Sequence, residues 1–128
     1  MAKESGIMKI AIPSTDDKGF ESRVEEHFGR ARYYTIIDIE SMEAKAVPVP
    51  FQEHGPGDIP GFIKEQGADT VIAYGMGGRA VQFFDEMGIK VVTGAQGKIG
   101  DVVQAYVEAR LAVDENWKER GDFGEHNH

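Results

Sequence analysis

His27 is the residue best suited to touch a metal, and it lies in the run Glu26-His27-Phe28-Gly29-Arg30-Ala31-Arg32, an imidazole beside two guanidinium groups. A second run, Tyr74-Gly75-Met76-Gly77-Gly78-Arg79-Ala80, separates an apolar stretch from an amphipathic one. A glycine-rich turn between a strand and a helix lets backbone N–H groups face an anion at the helix N-terminus. One metal-capable ligand and one anion cradle together point to a bound anionic species, a metal cluster among them. Arg30, Arg32, Arg79 and Lys98 are the cations that can offset its charge.

Each signal has a plainer reading beside it. His27 can simply pair with Glu25 or Glu26 in a loop. The glycine turn can serve close strand–helix packing, with Gly77 and Gly78 free to adopt positive φ. It lacks the full dinucleotide fingerprint and the Lys-Ser/Thr of a phosphate-binding loop, so nucleotide binding has weak support. Arg79 opposes the helix dipole's preference for acidic residues in the first turn, which an anion explains better than helix stability does. One histidine cannot hold a bare zinc ion, which needs three or four protein ligands. A preassembled cluster brings its own sulfides and needs few. His54 lies in a Gly/Pro loop and reads as solvated. His126 and His128 form a terminal His-x-His that could collect divalent metal adventitiously. Met42 and Met76 are soft side chains within reach of copper chemistry, though loop methionines usually only pack. Asp16 and Asp17 follow the first strand and Asp38 sits on the second. Nuclease chemistry needs several carboxylates converging, which this pattern does not offer, and no catalytic pair stands out.

The 128 residues suit one domain, and 41% hydrophobic content allows a core without staples. Cysteine is absent, which excludes disulfides, thiolate catalysis and Cys-ligated iron–sulfur or zinc sites. The formal charge of −8 argues against broad nucleic-acid binding. No apolar run is long enough to span a membrane, and the first seven residues carry no secretory signal, so the expected location is cytoplasmic.

The positioning elements follow from periodicity. Residues 9–13 read as a buried strand ending at a proline. The long segment 14–32 exceeds an ordinary connection and so suggests function; within it Val24 and Phe28 can share one helical turn. Residues 33–39 form a strong strand. After a turn over 40–43, residues 45–50 return as an edge strand, because two prolines remove ladder donors. Asp58 is placed to cap a helix over 59–66, ended by Gly67. Strands at 70–74 and 90–93 flank a helix with Ala80, Phe83, Phe84 and Met87 on one face, stopped by Gly88. A final amphipathic helix carries Ile99, Val102, Val103, Tyr106, Val107 and Leu111. The result is a three-layer α/β/α domain over 8–113, an extension over 1–7, and a charged tail over 114–128 expected to be mobile. Loops at the carboxyl ends of parallel strands gather ligands, which would put His27 and the glycine turn in one crevice.

These residues resemble the dinitrogenase iron–molybdenum cofactor biosynthesis family, which includes NifX-type carriers and the orange-protein type that holds a molybdenum–copper sulfide cluster. The resemblance rests on Met8-Lys9-Ile10-Ala11-Ile12-Pro13, His27-Phe28-Gly29-Arg30-Ala31, the 75–80 turn and Gly88-Ile89-Lys90-Val91. It implies an RNase H-like fold: a mixed five-stranded sheet of order 3-2-1-4-5 with strand 2 antiparallel. It implies a non-enzymatic carrier for an iron–molybdenum–sulfur or molybdenum–copper–sulfide cluster, apo when made in a foreign host, working with a cluster-donor or ATPase protein. His27 becomes the leading metal contact, with Phe28, Gly29, Arg30, Gly75, Met76, Gly77, Gly78 and Arg79 around the cluster. A metal-free regulatory domain and a phosphate or nucleotide binder are the other functions considered.

Overall fold

A computed structural model describes residues 8–50, 55 and 57–120. Five strands, β1 (Lys9–Ser14), β2 (Tyr33–Asp38), β3 (Glu43–Pro48), β4 (Thr70–Ile72) and β5 (Lys90–Val92), form one sheet of order β3-β2-β1-β4-β5. β2 is antiparallel to both its neighbours, while β1, β4 and β5 run parallel. The expected order and the antiparallel second strand are therefore present. β3, with Pro48 at its end, is an edge, where a missing N–H costs the ladder nothing.

Period-2 alternation splits the core in two. Ala11, Tyr34, Ile36 and Val71 face α1 (Asp58–Glu65) and α2 (Gly78–Glu86). Ile10, Ile12, Ile37 and Ile72 face α3 (Ile99–Arg120). Between the layers of β1 and β2, Ser14 Oγ donates to the Ile12 carbonyl at 2.9 Å and shares a 2.6 Å hydrogen bond with Thr35 Oγ1, so both buried hydroxyls are satisfied.

Several local expectations change. Val24 and Phe28 do not share a helical turn: Val24 pairs with Ser14 and packs on the α3 side, while Phe28 packs on the α1/α2 side. The segment 15–32 is long because it crosses the sheet from one layer to the other. Gly57, not Asp58, is the N-cap of α1; Asp58 is its first helical residue, and its carboxylate accepts the Gly55 N–H at 2.8 Å. On α2 only Phe84 is fully buried, with Ala80, Phe83 and Met87 half-buried. α3 continues to Arg120, past the expected end near Leu111. No glycine or proline interrupts 101–120, and its Ala, Glu, Lys and Arg are good helix formers even where the apolar stripe fades. His54, His126, His128 and the 1–7 extension lie outside the described residues. Among the described residues no helix is long and apolar enough to cross a membrane.

Candidate functional site

The crossing segment builds the first wall. Val24 N–H donates to Gly97 O at 2.9 Å and Glu25 N–H to Pro13 O at 2.8 Å, which pins the chain above the end of β1. His27 is extended (φ −96°, ψ 95°) and starts a tight 3₁₀ turn, Phe28–Arg30, closed by Arg30 N–H to His27 O at 2.8 Å. The turn sends Phe28 down and leaves His27 out. The Phe28 ring meets Tyr34 edge-on at 5.9 Å and Phe84 at 5.8 Å. The His27 side chain is 68% exposed, with Nδ1 3.6 Å from Glu25 Oε2. The same carboxylate oxygen accepts the His27 backbone N–H at 3.1 Å. Glu25, rather than Glu26, is thus the partner. Among the described residues Nε2 has no protein partner.

The glycine turn builds the second wall. Gly77 is the N-cap of α2 in extended geometry (φ −68°, ψ 156°), with no side-chain cap and no acid in the first turn. The leading N–H groups of a helix lack intrahelical acceptors, so α2 presents donors and a positive dipole end. The expectation of positive φ fails here: the positive-φ glycines are Gly19, Gly67, Gly88, Gly94 and Gly97. The packing explanation fails too, because a Cβ at Gly75, Gly77 or Gly78 would meet nothing within 4 Å. The same holds for Gly29 in the first wall. Neither backbone strain nor internal packing requires glycine at these four positions; each leaves space open above the strand ends.

The walls enclose a cavity of about 370 Å³. Phe28 and Gly29 line it from the first wall, Gly77, Arg79 and Ala80 from the second. Gly55, Ile59 and Pro60 at the start of α1 add a third, apolar side that the sequence did not suggest. Of the other expected site residues, His27 and Arg30 are exposed on the first wall, and Gly75 and Gly78 flank the N-cap of the second. Met76 packs against the α1/α2 core, so its side chain serves the fold. Lys98 pairs with Glu21 at 3.2 Å, and Arg32 is exposed outside the cavity lining. Met42 lies in the β2–β3 turn, at the opposite end of β1 from His27. Asp38 is at that same far end, capping Glu40 N–H at 3.0 Å, and cannot converge with Asp16. A larger cleft, about 450 Å³ beside Lys9, Asp38, Glu43 and Gln66, also lies there, away from the imidazole and the glycine turn. Among the described residues no three His, Asp or Glu side chains gather to hold a bare metal ion.

The fold and its sequence have known counterparts. The crystal structure of PH0822 superposes with a TM-score of 0.74 at 48% identity, covering 80% of this chain and 92% of that one. The apo form of the orange protein from Desulfovibrio gigas shares the fold, with a TM-score of 0.72, 21% identity, and 80% and 88% coverage. The NMR structure of the Thermotoga protein TM1290 gives 0.66 and 28%, covering 80% and 90%. An uncharacterised protein of Methanocaldococcus jannaschii is 27% identical over 111 residues, 82% of this chain and 90% of that protein. Residues 8–109 match the dinitrogenase iron-molybdenum cofactor family, spanning every strand of the sheet and both walls of the crevice, and the chain belongs to that family.

Proposed function

We propose that this chain is a non-catalytic carrier that holds an anionic metal–sulfur cluster between the His27 turn and the glycine turn. The observation that carries the reading is one cavity lined by Gly29 of the first wall and Gly77 of the second, both with open space where a Cβ would stand, beside an uncapped helix N-terminus. His27 Nε2 supplies the one directional contact to metal. Arg79 and Arg30 offset the negative charge. Phe28, Ile59, Pro60 and Ala80 form an apolar lining suited to soft, weakly hydrated sulfides. That lining tells against a phosphate or nucleotide, whose strongly hydrated oxygens would lose water there without enough donors. A preassembled cluster, bringing its own sulfides, needs few protein ligands beyond His27. Family membership and the fold shared with the orange protein support the same reading. The cluster identity, iron–molybdenum–sulfur or molybdenum–copper–sulfide, and a donor or ATPase partner belong to the proposal.

The test uses tetrathiomolybdate, an anionic metal sulfide with its own visible absorption, on purified chain and on His27→Ala. Retention through gel filtration by the parent, and its loss or strong weakening in the folded variant, is the expected result. Equal retention by both would remove His27 from the role. Elemental analysis of the protein from its native host then names the metals.

A further inference from the structure

Tyr34 is a buried side chain whose hydroxyl reaches the Phe28–Arg30 turn of the first wall. It is fully buried near the start of β2, among rings contributed by three different elements. Phe28 meets it at 5.9 Å from the crossing segment and Phe62 at 6.1 Å from α1. Phe84 of α2 then meets Phe28 at 5.8 Å. The chain Phe62–Tyr34–Phe28–Phe84 therefore joins α1, the sheet, the His27 turn and α2, the same elements that surround the cavity. At its centre the Tyr34 hydroxyl donates to the Phe28 carbonyl at 3.3 Å. That carbonyl belongs to the residue directly after His27. Three bonds among the described residues act on the imidazole-bearing backbone: Arg30 N–H to His27 O, His27 N–H to Glu25 Oε2, and Tyr34 OH to Phe28 O. The first two are local and exposed to water. The third ties the turn to the sheet. A phenylalanine would fill the same volume without reaching the carbonyl, so packing alone does not account for the hydroxyl.

We infer that Tyr34 is a positioning residue for the site: its hydroxyl latches the Phe28–Arg30 turn to the sheet and so fixes where His27 meets the anionic cargo. This rests on the carrier reading for its functional half; the mechanical half stands without it. Burial raises the phenol far above its ordinary pKa, so the hydroxyl keeps its proton and stays a donor throughout the range in which the protein is handled.

The experiment compares the parent with Tyr34→Phe, which keeps the ring. In ligand-free protein, hydrogen exchange at the Arg30 amide should quicken about three- to tenfold, the range expected for one neutral hydrogen bond. Amides of Ile10 and Ala11 in the sheet should keep their protection. Unchanged exchange at Arg30, or a rise of equal size in the β1 amides, would overturn the latch, the second by showing general loosening. Tetrathiomolybdate is then titrated into both proteins. An affinity loss of similar size in the variant supports positioning, and equal affinities would overturn it. If the parent itself takes up no tetrathiomolybdate, the carrier reading fails, and the Arg30 exchange alone decides whether the latch exists.

Discussion

The two walls of the crevice are built on opposite principles. The His27 wall is held by side chains: an aromatic ring sunk into the core, a buried phenol and a carboxylate. The 75–78 wall is held by its neighbours' backbone and presents almost no side chain of its own until Arg79. A wall of side chains fixes one backbone turn in place and tolerates little change. A wall of bare backbone offers donors to an anion of variable shape, and its residues are needed for what they omit.

Removing the ring that anchors the first wall should have the largest effect. Phe28→Ala loses a half-buried aromatic touching Tyr34 and Phe84, and is expected to cost about 2–3 kcal/mol, with a melting temperature lower by on the order of 10 °C. A melting curve matching the parent would mean that the walls are anchored alike.

Gly77→Asp probes the second wall in the reverse sense. An aspartate at an extended N-cap should leave stability unchanged or raise it by a few tenths of a kcal/mol. Its charge beside the cavity should weaken tetrathiomolybdate binding about tenfold, as a carboxylate in contact with the anion would repel it. Undiminished binding in a folded Gly77→Asp protein would show that the glycines do not face the anion.

Alkaline titration addresses the latch. The folded pKa of Tyr34 is raised above its ordinary 10.0 by burial. Its contribution to stability is therefore complete below pH 10 and is lost as pH rises beyond it, because only the unfolded chain can then release the proton. At pH 11 the loss should reach about 1.4 kcal/mol. Chemical denaturation from pH 9 to 11 should show a steeper fall for the parent than for Tyr34→Phe; parallel curves would count against a buried neutral phenol.

The smallest effect is expected at Arg79, an exposed cation. Arg79→Ala should weaken tetrathiomolybdate binding about two- to fivefold, with Arg79→Glu weaker still, and the difference should shrink as salt is added. Affinity that ignores a tenfold change in ionic strength would show that the second wall acts through its backbone alone.

How much of this could be read from residues depended on whether the information was local. Strand periodicity marked all five strands, and the prolines at 48 and 50 marked the edge. The meeting of the His27 turn with the glycine turn followed from placing both at the carboxyl ends of parallel strands. What escaped was non-local. Val24 and Phe28 are four residues apart, which reads as helical spacing until one sees them serving opposite layers. Ile59 and Pro60 joined the cavity only through the docking of α1, for which the chain offers no signal near His27. Tyr34 looked like another β-forming aromatic; the cue was its hydroxyl, which a buried position obliges to find a partner. The glycines at 77 and 78 suggested positive φ, whereas their actual backbone is ordinary and their value lies in the space they leave. The helix past Leu111 followed propensity rather than amphipathicity.

The crossing segment also has a consequence for the order of assembly. β2 and β3 are joined by the short turn 39–42, whereas β1 and β2 are joined by 15–32, more than four times as long. Closure entropy grows with the logarithm of length, so the second pairing costs about 1.3 kcal/mol more to close than the first. The hairpin can therefore form early and fast, as a template. The crossing segment thus carries the larger closure cost of the two connections, and the local β2–β3 pairing is the one that chain entropy favours first.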